Sequence, residues 1–244
     1  MKIDVLTLFP EIFDMLKDYS IVGRAIASEA IDVNAINIRD YSTDKHKRVD
    51  DYPYGGGRGM VMKPEPIHSA IESCRRVGSR VIYLSPQGKI LNQSLVKELA
   101  NEDHLILLAG HYEGVDNRII ENYVDDEISI GDYVLTGGEL PAMVLIDSIS
   151  RLMPGVLSSE ESYEIESHYE GLLEYPQYTR PRVFKGFKVP DVLLSGDHSK
   201  IDIWRRVSAL RTTFMKRPDM LEEIENPKDQ LDLMDSLLKM IGKR

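Results

Sequence analysis

Residues 128–141 read ISIGDYVLTGGELP, and the fold turns on how that stretch is read. Ile128 and Ile130 open it like a buried strand. Val134 and Leu135 resume the apolar pattern beyond a first turn at Gly131. Gly137-Gly138 interrupts it again, and Pro141 opens an apolar, helix-like run from Ala142 to Ile149. Glycine lets a backbone approach a ligand or take positive φ, so the stretch fits a tight strand-to-helix turn or a ligand loop. Two earlier segments repeat the plan. Arg80 to Leu84 is a short apolar strand running into Ser85-Pro86-Gln87-Gly88. His104 to Ala109 is another, running into Gly110-His111-Tyr112-Glu113-Gly114. Gln93 to Ala100 and Val115 to Tyr123 have helical spacing between them. This alternation predicts a parallel α/β sheet. Ligands of such sheets sit beyond the carboxyl ends of the strands, where the three loops would converge.

The loops offer backbone groups and the side chains of Leu84, Pro86, Tyr112, Tyr133, Leu135 and Pro141. That lining suits a flat heteroaromatic such as adenine. It lacks cations for a triphosphate, and no G-x-G-x-x-G fingerprint marks an ordinary dinucleotide fold.

Upstream, Ile3 to Leu8 and Val33 to Ile38 read as strands, with helical spacing at Glu11 to Tyr19 and Gly23 to Glu29. Asp40 to Lys63 reads as a long polar loop, a class that is often functional. It holds Lys45 to Arg48, then Gly55-Gly56-Gly57-Arg58-Gly59, and fits either a phosphate contact or a plain surface loop. It is no P-loop, because no Gly-Lys-Ser/Thr closes it. Pro66 to Val77 is an amphipathic helix.

Downstream, the acidic stretch Ser158 to Glu170 reads as a linker, and the composition then shifts. Ile201 to Met215 is a helix carrying Arg205, Arg206 and Arg211, and Asp229 to Met240 is a last amphipathic helix. The predicted organisation is a main domain over 1–158, a linker over 159–170 and a small helical domain over 171–244.

The chain has 244 residues, 42% apolar, with no run long enough to span a membrane. The start MKIDVLTLFPEIF reads as a strand rather than a signal peptide. A single cysteine, Cys74, excludes an intrachain disulfide and points to a reducing, cytoplasmic setting. Six scattered histidines and no cysteine pair disfavour a metalloenzyme. Net charge is −10 but segregated: Glu121 to Glu170 holds twelve acidic residues and one basic, Gly171 to Arg217 ten basic and four acidic. The second part fits a polyanion partner or a solvated helical face.

Seven motifs in order carry a family resemblance: DDYPYGGGRGM (50–60), IYLSPQG (82–88), AGHYEGVDNR (109–118), SIGDYVLTGGELPA (129–142), SRLMPGVL (150–157), GLLEYPQYTRP (171–181) and VPDVLLSGDH (189–198). Together they resemble the bacterial tRNA (guanine-N1)-methyltransferases of the SPOUT class over nearly the whole chain. The resemblance implies a deep trefoil knot of the three glycine loops, S-adenosylmethionine bent inside it, and a homodimer with active sites between subunits. It implies tRNA as substrate, methylated on the guanine just 3′ of the anticodon, and a dependence on Mg2+. Carried over by position, the cofactor residues are Tyr83, Leu84, Ser85, Pro86, Gly110, Tyr112, Glu113, Gly114, Ile130, Gly131, Asp132, Tyr133, Val134, Leu135, Gly137, Gly138 and Pro141. Arg151 takes the catalytic arginine's place. The general base, an aspartate in the family context D-S-F-x-x-G-L-L, is here Glu166, with His168 for the aromatic. His111 and Arg58 stand where the family has Arg and Pro. Arg58, Arg180, Arg182, Arg205 and Arg206 are the expected tRNA contacts. A knotted methyltransferase for another RNA nucleotide, and an RNA-binding module that holds S-adenosylmethionine without turnover, are the alternatives.

Overall fold

A computed structural model describes residues 1–157, 166–169, 171–222, 232 and 235. The chain divides into two compact units, Met1–Glu160 and Glu161–Arg244.

The first unit is built on a five-stranded sheet. Its strands are β1 (Lys2–Thr7), β2 (Asp32–Asn37), β5 (Ser79–Ile90), β6 (His104–Ala109) and β7 (Asp126–Ser129), in the order β2-β1-β6-β5-β7. Every pairing is parallel. Successive strand residues point to opposite faces, and both faces are covered, which is why the strands read as continuous apolar runs. Leu105 and Leu107 of β6 pack with Val22 and Ala25 of α1 (Ser20–Ala27), Leu99 of α3 (Gln93–Leu99) and Leu145 of α5 (Glu139–Ser150). Ile106 and Leu108 pack on the other side with Ile67 and Ile71 of α2 (Pro64–Cys74) and Ile119 of α4 (Asn117–Tyr123).

Three readings are corrected. Pro10–Asp18 is a 3-10 helix that buries Phe13 and Leu16. The segment 40–63 is not structureless: β3 (Asp50–Asp51) and β4 (Val61–Met62) form a short antiparallel ladder. Val49 and Met62, both fully buried, draw its ends onto the core. Finally, β7 ends at Ser129, so Val134 and Leu135 are not strand residues. They are 82% and 39% exposed, in the loop that follows.

In the second unit, β8 (Val183–Phe184) and β9 (Phe187–Lys188) form a hairpin, followed by a 3-10 turn and the long helix α6 (His198–Lys216). A short α7 (Asp219–Glu222) follows. Asp197 caps α6, its side chain accepting from the Lys200 N–H at 3.2 Å. Most of the linker and the expected helix Asp229 to Met240 lie outside the described residues.

Candidate active site

β6 and β7 deliver their loops at the carboxyl edge of the sheet, and β5, which continues past Leu84 to Ile90, shifts its register on β7 across Ser85 to Gly88, so that the three glycine-bearing segments line one cavity of about 400 Å3. Its lining includes Tyr83 to Gln87, Gly110 to Val115, Glu127 to Gly131 and Tyr133 to Gly138, closed by Pro141. All the expected cofactor residues lie on it except Asp132. Asn117 and Ile120 of α4, and Glu127 and Ser129 of β7, line it as well. Asn117 and Ser129 lie in two of the quoted motifs, whereas nothing in the sequence marked Ile120 or Glu127.

The loops are held to one another by their backbones. The Gly138 N–H donates to the Gly110 carbonyl at 2.9 Å, and His111 and Gly137 form an isolated antiparallel bridge. A Cβ on Gly138 would stand 2.6 Å from Ala109 Cα, and one on Gly88 would overlap the backbone of Glu127 and Ile128. Only glycine allows the third loop to lie on the end of β6 and the first to lie on β7. The second loop is fastened from below. The Met62 N–H donates to Gly114 and the Glu113 N–H to Met60, so the glycine-rich segment before β4 is bonded to it. Arg58 lies exposed on that segment and does not line the cavity.

Behind the wall lies a polar chain. Glu139, in the first turn of α5 and only 6% exposed, accepts from Thr7 Oγ1 at 2.7 Å. Its other carboxylate oxygen is 3.5 Å from His111 Nε2. The two partners satisfy the hydrogen-bonding needs of a polar side chain in this buried place. Tyr83 also lines the cavity. Burial, with the Glu127 carboxylate adding, pushes its phenol above the usual range, so it stays protonated at neutral pH.

The electrostatics of the lining select among ligands. Its described residues include two carboxylates, Glu113 and Glu127, and no lysine or arginine. A phosphate-bearing ligand finds no counter-charge here, while a cationic one does. Glycine backbone and the side chains of Leu84, Pro86, Leu135 and Pro141 make up much of the rest of the lining.

The comparisons with known proteins agree with this geometry. Residues 1–223 match the family described as tRNA (Guanine-1)-methyltransferase TrmD. This chain belongs to that family. Proteins named tRNA (guanine-N(1)-)-methyltransferase are similar to it along almost all of its length. That of Ruminiclostridium cellulolyticum is 60% identical over 229 residues, covering 93% of this chain and 98% of the relative. That of Fusobacterium nucleatum is 55% identical, covering 98% and 99%. That of Staphylococcus carnosus is 53% identical, covering 99% of each.

The expected catalytic residues fall in different units. Arg151 follows the last turn of α5 in the first, where a cation suits the helix carboxyl end. Glu166 belongs to the second, partly exposed, in a turn closed by the Tyr169 N–H on its carbonyl at 3.3 Å. That turn is tied to α6, since the Leu173 N–H donates to the buried Thr213 Oγ1 at 2.9 Å. Arg180, Arg182, Arg205 and Arg206 are exposed in the second unit. Arg205 is paired to Asp202 at 3.3 Å and lies 5.2 Å above the Tyr175 ring, and Arg206 is 3.7 Å from Asp232.

Proposed function

We propose that this chain transfers the methyl group of S-adenosylmethionine to N1 of the guanine just 3′ of the anticodon in tRNA. The carrying observation is the cavity: three glycine loops at the sheet's carboxyl edge, carboxylates and no cation on its lining, in a chain of this family. The cavity volume lies within the usual range of small-molecule sites. When bound, S-adenosylmethionine supplies a methyl group on a positively charged sulfur. Glu113 and Glu127 are the carboxylates that suit that charge, and Leu84, Pro86 and Leu135 suit its adenine.

Guanine N1 carries a proton and is a poor nucleophile until the proton leaves. Glu166 removes it, a role worth roughly 10²–10⁴-fold. Arg151 donates to O6, where negative charge collects as N1 is deprotonated. The reading of Glu166 rests on its place five residues before Gly171 in the motif. The neighbouring Glu164 and Glu170 lie outside the described residues. Glu166→Gln is expected to keep cofactor and tRNA binding and to lose about 10²–10⁴-fold in kcat under single turnover. A near-normal kcat in that variant assigns the base elsewhere.

We read the three loops as the trefoil knot that the resemblance implies. The support is the Gly138-to-Gly110 hydrogen bond and the contact of Gly138 with the end of β6. The homodimer is supported by α5, which buries seven residues and still exposes Leu140 and Val144 by 53% and 46% one turn apart. Phe9, Ile12 and Met15 add to the exposed apolar surface of the same unit. A sedimentation mass of one 27.8 kDa chain would remove the dimer. Magnesium has no group of three or more His, Cys, Asp or Glu side chains among the described residues, and no step here runs through it. We place the protein in the cytoplasm, with its tRNA. No helix among the described residues is long and apolar enough to cross a membrane.

A further inference from the structure

The hairpin of the second unit carries a surface that the cavity and the four arginines leave unexplained. Phe184 and Phe187 are direct cross-strand partners, so their side chains leave the same face. They are 61% and 79% exposed, and every residue from Pro176 to Lys188 is exposed. The turn between them, Lys185-Gly186, has φ of 49° and 87°, the positive pair of a tight type I′ hairpin. A ladder of two residues per strand has little stability of its own, and leaving two phenyl rings in water adds nothing to it.

What surrounds the rings identifies the occupant. Arg180 to Lys188, RPRVFKGFK, holds four basic residues and no acidic one. Lys185 Nζ already lies 5.6 Å from the Phe184 ring centroid. Exposed π faces among cations are the elements by which proteins hold unpaired nucleotides. Rings stack on bases, and cations follow the phosphates. Tyr175 and Tyr178 differ, because their rings already pack near Trp204, at 6.4 and 6.2 Å between centroids.

We infer that the β8–β9 hairpin is a stacking contact for unpaired bases of the tRNA, with Phe184 and Phe187 taking base faces and Arg182 and Lys185 the adjacent phosphates. This rests on the tRNA reading above. The test uses the full-length protein, a tRNA transcript with guanine 3′ of the anticodon, and an RNA duplex of equal charge. Affinities are measured across a salt series by fluorescence anisotropy. The pair Phe184→Leu/Phe187→Leu keeps apolar area but removes stacking. It is expected to lose about 10–100-fold in tRNA affinity, with an unchanged salt slope and unchanged duplex binding. Phe184→Tyr/Phe187→Tyr keeps the π faces and retains the affinity. Arg182→Gln/Lys185→Gln lowers the slope of log Kd against log salt by about 1–2. Wild-type affinity in the leucine pair overturns the inference. So does equal weakening by leucine and tyrosine, or a leucine pair that changes only self-association. Each titration is run beside wild-type methyl transfer. A wild type that transfers methyl while the leucine pair binds normally sinks the hairpin alone. A wild type that transfers none sinks the reading beneath it.

Discussion

Asp4 shows how a single residue can matter to the fold without touching the chemistry. It is fully buried at the amino edge of the sheet. His104 Nε2 lies 2.8 Å from it, Asn34 Nδ2 donates at 2.9 Å, and Lys2 Nζ is 2.9 Å away. Ser79 Oγ lies 2.7 Å from His104 Nδ1, so the set looks like a hydrolase triad. It is a structural network instead: the Arg76 N–H already donates to Ser79 Oγ, and the cavity is at the other edge of the sheet. Burial pushes the Asp4 carboxyl up, but the hydrogen bonds from Asn34, Lys2 and His104 outweigh it and hold it below its usual range. A carboxyl so held adds stability above its unfolded value, near 4, and loses that contribution as pH falls through the lower folded value. Asp4→Asn is therefore expected to be less stable at pH 7 and to show a weaker acid dependence in urea unfolding between pH 7 and 3. An acid dependence equal to wild type would contradict this. Neither this network nor the Thr7–Glu139 bond was legible in the sequence, since the latter joins residues 132 apart. The cavity glycines were legible as breaks in the apolar runs, while the distant backbone contacts that require Gly88 and Gly138 were not.

At the scale of elements, β6 lies where its apolar run placed it, at His104 to Ala109. A strand buried on both faces has an unambiguous signature. The limits of β7 were harder to read, because the apolar Ile130, Val134 and Leu135 serve the cavity and not the sheet. The apolar character of such residues signals burial whether a core or a ligand covers them. The 40–63 segment was misread for a related reason, since two-residue strands leave no period to detect. Elements also meet closely at Gly138. Its Cβ would press on Ala109 backbone, which has no rotamer with which to yield. Gly138→Ala is expected to cost about 1–3 kcal/mol in unfolding free energy and to weaken S-adenosylhomocysteine binding by calorimetry. Wild-type values for both would mean that the third loop does not need this approach.

For the whole molecule, the basic block Gly171 to Arg217 lies inside the second unit, whereas the acidic block Glu121 to Glu170 runs across the boundary after Glu160. The cavity with its carboxylates lies in the first unit, and the exposed arginines with the hairpin lie in the second. Reading composition in blocks made the basic block legible where the net charge of −10 hid it. The central claim is that these parts methylate one guanine. The most direct test measures methyl transfer from labelled S-adenosylmethionine to two tRNA transcripts identical but for guanine or adenine just 3′ of the anticodon. The expected result is label on the guanine transcript alone, recovered as N1-methylguanosine. Label on both transcripts, or on neither with the cofactor still bound, would contradict it.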